Sequence, residues 1–290
     1  MSKNKTVIAL GLFDSMHVGH RKVIEKAVKI GKKNRAKVVV FSFTSLPNKP
    51  YYDKMIYSTE IRKEIMLSLG VDAVHFEEPT KEFLSQNKEE FLNLLNEEYD
   101  IYAYVVGEDY TFGVNGEGNA DFLRQYAKKK GQKISVSKLV KEKGEKISTT
   151  LIKECLKKGE TEKVNKLLAS DYKIEGIVKS DRKVGTKMLY PTVNIEIDDN
   201  IFPIKNGVYF GYVVLDKKYK AVINIGNRPT FDLQKKLIEA HILSFNGDLY
   251  GKKITVFLRK FLRDTVKFDS VEDLKEQISK DIEKAKGIKL

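Results

Sequence analysis

Cysteine occurs once in the 290 residues, at Cys155, which excludes an internal disulfide framework and fits a reducing compartment. No apolar run approaches the roughly 20 residues that cross a bilayer, and Met1–Lys5 carries no apolar core of a signal peptide. These absences predict a cytoplasmic protein with no membrane partner. The common nucleotide-binding loops are missing too, since neither G-x-x-x-x-G-K-[ST] nor G-x-G-x-x-G occurs. Only four histidines are present, so with Cys155 a four-ligand N/S zinc site is hard to assemble unless carboxylates fill in. Internal repeats, low-complexity linkers, a dense basic arm and aromatic RNA-reading motifs are all lacking.

What is present is an ordinary globular composition, 41% hydrophobic and 32% charged, in a length that suits two domains. The net charge of +13 raises the question of nucleic acid. Its lysines, however, are spread in short groups such as Lys128–Lys130, Lys217-Lys218 and Lys235-Lys236. That distribution reads as a solvated surface which also draws in triphosphates, and no nucleic-acid partner is expected.

The first half alternates strand and helix patterns. Strands are expected at Val7–Leu12, Lys37–Phe43, Ala73–Phe76, Ile101–Val106 and Lys133–Val136, with helices at Val18–Lys33, Thr59–Leu69, Lys88–Glu97 and Asp121–Lys130. Repeated βα units predict a parallel sheet covered on both faces, with ligands beyond the C-terminal strand ends. Two helical patterns follow at Thr149–Lys158 and Thr161–Ala169. After Asp171 the rhythm changes to short strands separated by turn residues, which predicts an antiparallel barrel or sandwich, and a helix closes the chain over Val271–Lys286. The expected domains are residues 1–169 and 170–290.

The most informative stretch is Gly11-Leu12-Phe13-Asp14-Ser15-Met16-His17-Val18-Gly19-His20, where a buried strand turns into a helix. A helix N-terminus collects anions, because its unpaired N–H groups and the helix dipole point at one place. His17 and His20, three apart, are expected on one helix face, where both can address a phosphate. Gly19 is read as leaving the backbone open to a phosphate chain. Asp14 fits two roles, near a metal or phosphate in the loop, or capping the helix. The hydroxyls of Ser148, Thr149 and Thr150 precede a helix, where they cap it and donate to phosphate, while Lys153 one turn on is a cation for a leaving group.

The G-x-F-D-x-x-H-x-G-H segment resembles the signature of prokaryotic bifunctional riboflavin kinases/FMN adenylyltransferases, the FAD synthetase family. Ile147-Ser148-Thr149-Thr150-Leu151-Ile152-Lys153 resembles that family's I-S-S-T-x-I-R segment, with Lys153 where arginine is usual. Thr59, Arg62 and Leu69–Asp72 extend the match, as does Val105–Gly113, which resembles a V-V-G-x-D-F-x-F-G run. The resemblance implies a Rossmann-like nucleotidyltransferase domain followed by a β-barrel riboflavin kinase domain. It implies adenylylation of FMN to FAD with release of pyrophosphate, catalysed through His17, His20 and Lys153. Gly11, Phe13, Asp14, Gly19, Gly107, Asp109, Ser148, Thr149 and Thr150 are then expected to bind the substrates. Asp109 fits either an adenosine contact or a loop carboxylate satisfying backbone N–H groups. Ser15 and Met16 depart from the usual Gly-Val, and the Pro-His-Pro segment after the second strand is reduced to Ser45-Leu46-Pro47.

In the second half Pro191-Thr192-Val193-Asn194 resembles the riboflavin kinase P-T-x-N motif. Thr192 and Asn194 on alternate strand positions face one side and offer oxygen ligands suited to Mg²⁺. Glu239-Ala240-His241 resembles the E-x-H strand, which makes Glu239 the expected general base toward the ribityl 5′-hydroxyl. Gly185, Asn224 and Arg263 are expected at the ATP or flavin. The implied reaction converts riboflavin to FMN with ATP. One departure bears on it: the family's G-R-x-L-G-F-P-T-A-N loop reads Gly185–Asn194 here, with Thr186 for the arginine and Leu189 for the second glycine. A second reading is therefore an FMN adenylyltransferase with a weakened kinase-like domain.

Overall fold

Val7–Leu10 are entirely buried, because a strand with neighbours on both edges and helices on both faces has no solvent side. This is β1 (Lys5–Leu10), and a computed structural model describes the protein around it for residues 5–47, 54–179, 192–227 and 236–290. The chain divides into two compact units, Met1–Thr149 and Thr150–Leu290.

In the first unit the order after β1 is α1 (Val18–Asn34), β2 (Lys37–Phe43), α2 (Thr59–Ser68), β3 (Ala73–Glu77), α3 (Lys81–Leu84), α4 (Lys88–Glu98) and β4 (Asp100–Gly107). A small hairpin β5 (Thr111–Phe112) and β6 (Gly118–Asn119) leads into α5 (Ala120–Lys129) and β7 (Lys133–Ser137). A second hairpin, β8 (Lys141–Glu142) and β9 (Glu145–Lys146), ends the unit. Helix starts carry their expected caps: Ser58 accepts from Ile61 N–H, and Asn87 with Glu90 completes a capping box. The main sheet is parallel in the order β3-β2-β1-β4-β7. The chain thus winds outward from β1 through β2 and β3, then restarts on its other side with β4. That reversal opens a crevice beyond the C-terminal ends of β1 and β4. Ile8, Leu10, Leu92, Leu95, Tyr104 and Leu123 pack the core beneath it, and full burial of each such side chain contributes about 1.5–3 kcal/mol.

The second unit carries α6 (Thr149–Lys158, whose first residue is the last of the first unit), α7 (Thr161–Leu168), β10 (Tyr172–Lys179), β11 (Val193–Ile197), β12 (Gly207–Val214), β13 (Lys218–Asn227), β14 (Lys236–Ile242), β15 (Lys253–Arg263) and α8 (Val271–Gly287). The strands form a closed antiparallel barrel in the order β10-β11-β14-β13-β12-β15, which removes exposed sheet edges. Ile282 and Ala285 of α8 pack on Phe210 and Leu243. The sequence reading placed the boundary at residue 170, whereas the compact units divide after Thr149. Hydrogen bonds explain why α6 and α7 go with the barrel. Lys205 N–H donates to Leu156 O at 3.0 Å. Asn165 donates to Leu258 O at 2.9 Å and accepts from Tyr172 N–H at 2.7 Å.

Candidate active site

A cavity of about 460 Å³ lies beyond the ends of β1 and β4 in the first unit. Gly11, Phe13, His17, Gly19 and His20 line one side, and Gly107 and Asp109 line another. Ser148 and Thr149 add hydroxyl groups to the lining. Ser15 Oγ lies 3.0 Å from Thr149 Oγ1, so residues 134 apart in sequence meet at one turn.

The geometry of the histidines differs from two side chains on a helix face. His17 is the N-cap of α1, with extended backbone, and its Nδ1 accepts the N–H groups of Gly19 and His20 at 3.1 and 3.2 Å. Histidine here takes the role usually filled by Ser, Thr, Asp or Asn. The two imidazoles stack with centroids 3.7 Å apart and planes 20° from parallel. Phe13 meets His20 edge-on at 5.5 Å. Phe13 and Met16 both hold left-handed backbone, φ 48° and 51°, and such strain in non-glycine residues concentrates at functional turns. A Cβ on Gly19 would lie 2.9 Å from Cε1 of His17. A side chain here would press on the His17 ring, which folds back over the glycine.

Burial lowers the His17 pKa to about 4, helped by Lys146 and opposed by the backbone hydrogen bond and Asp109. Burial, with smaller effects from His17 and Arg62, holds His20 well below the usual histidine range. Both rings are thus neutral at pH 7. Because Nδ1 of His17 is an acceptor, its proton sits on Nε2, which leaves that nitrogen a hydrogen-bond donor.

Asp14 does not cap α1. It is buried, and its Oδ1 accepts the N–H of Ile56 at 2.7 Å. Asp109 pairs with Lys146 at 2.6 Å, across the cavity lining. Lys146 and the apolar wall of Phe43, Phe83, Phe91, Tyr110 and Phe112 were not anticipated from the sequence. The wall's residues scatter over four elements and a loop, and only Tyr110 and Phe112 share a motif, the Val105–Gly113 run. Thr150 does not line the cavity, and Lys153 lies one turn into α6 with its ammonium 5.2 Å from the Phe202 ring.

In the barrel, Asn194 of β11 stands opposite Glu239 of β14, which stands opposite Asn224 of β13. These three polar side chains form one row across adjacent strands. Asn224 Nδ2 donates to Glu239 Oε2 at 3.3 Å. The Oδ1 atoms of Asn194 and Asn224 are buried without a hydrogen-bond partner among the described residues, a state that costs about 1–3 kcal/mol each. Unpartnered hard oxygens beside a carboxylate fit a divalent cation such as Mg²⁺. Thr192 is exposed, just before β11. The Arg263 guanidinium is held by Asp281, with donor distances of 2.7–3.2 Å, and so serves as a strut between β15 and α8. Gly185, Thr186 and Leu189 lie outside the described residues.

Comparison with known proteins covers both units. The family model described as FAD synthetase matches residues 1–151 and that described as riboflavin kinase matches 168–289. A bifunctional riboflavin kinase/FMN adenylyltransferase of Buchnera aphidicola subsp. Schizaphis graminum is 35% identical, over 97% of this chain and 93% of the relative. One of the same name in Bacillus subtilis is 30% identical over 97% and 92%. A solved structure from Streptococcus pneumoniae, described as a macrolide-efflux protein, superposes with a TM-score of 0.91 at 28% identity, over all of this chain and 96% of that one. Among the described residues here, no helix is long and apolar enough to cross a membrane. With both family models matched in order and relatives aligned over nearly the whole length, this chain belongs to the bifunctional riboflavin kinase/FMN adenylyltransferase family.

Proposed function

We propose that the chain makes FMN and then FAD, with the barrel row phosphorylating riboflavin and the cavity beyond β1 and β4 transferring AMP from ATP to FMN. The observation that carries this is the stacked, neutral His17–His20 pair at the start of α1. In-line attack of an FMN phosphate oxygen on the α-phosphorus forms one P–O bond and breaks the bond to pyrophosphate, with no covalent nucleophile required. Nε2–H of His17 and an N–H of His20 donate to the phosphate oxygens as charge builds there. Ser148 and Thr149 add hydroxyl donors, and Lys146 supplies positive charge toward the pyrophosphate. Gly11, Phe13, Gly107 and Asp109 surround the adenosine, and Thr150 supports the hydroxyl segment. The aromatic wall receives the flavin ring by stacking.

In the barrel, Glu239, oriented by Asn224, takes the proton of the riboflavin 5′-hydroxyl as that oxygen attacks the γ-phosphorus and the bond from that phosphorus to the β–γ bridging oxygen breaks, releasing ADP. Thr192 and Asn194 would hold Mg²⁺, which when bound neutralises charge on the ATP phosphates. Arg263 supports this unit through Asp281. The small-molecule substrates are ATP, riboflavin and FMN, and the single cysteine fits work in a reducing compartment such as the cytoplasm.

Incubation with riboflavin, ATP and Mg²⁺ followed by chromatography tests the reading. FMN followed by FAD is expected. FAD from supplied FMN, with no FMN from riboflavin, would overturn the kinase half, and no FAD from FMN would overturn the other.

A further inference from the structure

Arg62 lies on α2 among Ile61, Ile65 and Met66 and has no exposed surface, although an apolar side chain would fill that site at lower desolvation cost. Its donors reach the ends of two strands. Nη1 donates to Leu12 O at 3.1 Å and Ser42 Oγ at 3.3 Å. Nη2 donates to Phe43 O at 2.8 Å and Thr44 O at 3.0 Å. Ser42 Oγ itself donates to Leu12 O at 2.7 Å, closing a knot. The guanidinium also lies 4.7 Å from the Phe76 ring centre.

The knot sits where the β1–β2 ladder has ended. The last paired residues are Leu10 and Phe41, and Gly11 N–H reaches Phe41 O at 3.3 Å. Beyond that point both chains run on into the cavity lining. Leu12 leads through Phe13 to His20, while Phe43 belongs to the aromatic wall. We propose that Arg62 is a positioning residue for adenylyl transfer, tying these two chain ends together so that the gap between histidine turn and aromatic wall is fixed. ATP held at one side and flavin at the other then present phosphorus and attacking oxygen at reacting distance. The planar fork is what the geometry uses, since one side chain must reach carbonyls on both chains from a fixed plane.

This inference rests on the cavity being the adenylylation site. Arg62→Lys keeps the positive charge beside buried Asp14 but loses the fork, so charge compensation and positioning separate. In Arg62→Lys the kcat for FAD formation should fall by about 10-fold or more, since displacement by a fraction of an ångström suffices. KM for ATP and for FMN should stay within a factor of about three, because each half-site remains whole. Ser42→Ala, a small change that preserves folding, should lower kcat in the same direction by less. FMN formation from riboflavin by the same proteins reports that they are folded and should be unchanged. Wild-type kcat in both variants would overturn the inference, as would loss of both reactions in step with the folded fraction. His17→Asn, run alongside, separates the two levels. FAD formation surviving in it sinks the cavity assignment itself, whereas its loss with intact Arg62→Lys kcat sinks only the role of Arg62.

Discussion

The imidazoles of His17 and His20 lie face to face at 3.7 Å, with Nδ1 of the first ring receiving the backbone N–H of the second residue. One side chain therefore both starts α1 and points a donor into the cavity. These two roles are separable by substitution.

His17→Ala should lower FAD formation from FMN and ATP by about 100-fold or more, by analogy with the loss of one preorganised donor at a developing charge. It should also cost about 1 kcal/mol in stability through the lost cap. His17→Asn restores a good cap without the distal donor. Its thermal midpoint should return to that of the parent while FAD formation stays low. Recovery of turnover with the cap alone would show that the ring acts only as a structural cap.

Protonation should break the same arrangement. The folded His17 pKa of about 4 lies below its ordinary 6.5. The unfolded chain therefore binds the extra proton between those values while the folded one does not. Stability is full above about pH 6.5 and falls as the pH drops toward 4, by about 3 kcal/mol for this group. Thermal unfolding at pH 7.5 and pH 5 should show the fall, and His17→Asn should lessen it. Equal slopes in the two proteins would remove His17 as its source.

Gly19→Ala places two effects in opposition. Alanine gains about 1 kcal/mol of helix propensity, but its Cβ would stand 2.9 Å from the His17 ring. The ring is the part that can move, so the fold should hold while FAD formation drops by about 10-fold or more. An unaffected reaction would mean that the ring position is immaterial.

The sequence revealed most of the scaffold because long periodic segments dominate it. The run beginning at Val7 and the apolar stripe of Val23, Ala27 and Ile30 fixed β1 and α1 within a few residues. The strand stops at Leu10 rather than Leu12, because Phe13 turns left-handed and ends the ladder. Two-residue strands such as β8 and β9 have no period to read. At the site, the H-x-G-H spacing identified the histidines but not His17 as the cap, since histidine is an unusual N-cap. Arg62 stood out only as one residue of the family match, with no role attached, because its burial follows from tertiary packing. Arg263 was expected at a ligand. Its partner Asp281 lies one helix away, out of reach of local pattern.

In the barrel, Glu239→Gln keeps the hydrogen bond with Asn224 but removes the base. FMN formation from riboflavin should be abolished and FAD formation from supplied FMN spared. Simultaneous loss of both would point to misfolding and leave no case for a general base.

Arg263→Met strands Asp281, only 1% exposed, without its partner. Breaking one side of a buried pair costs about 3–5 kcal/mol. The unfolding midpoint of the second unit should fall accordingly, while KM for ATP in riboflavin phosphorylation stays near the parent value. A raised KM at unchanged stability would instead place Arg263 at the ligand.

A neutral His17 that holds the nucleotide phosphates must carry its proton on Nε2 and sense the nucleotide there. Nitrogen NMR of ¹⁵N-histidine-labelled protein tests it directly, before and after addition of ATP. An Nε2–H tautomer is expected for His17 at pH 7, with Nε2 and proton signals that shift when ATP binds. A proton on Nδ1, or a His17 signal indifferent to saturating ATP, would contradict it.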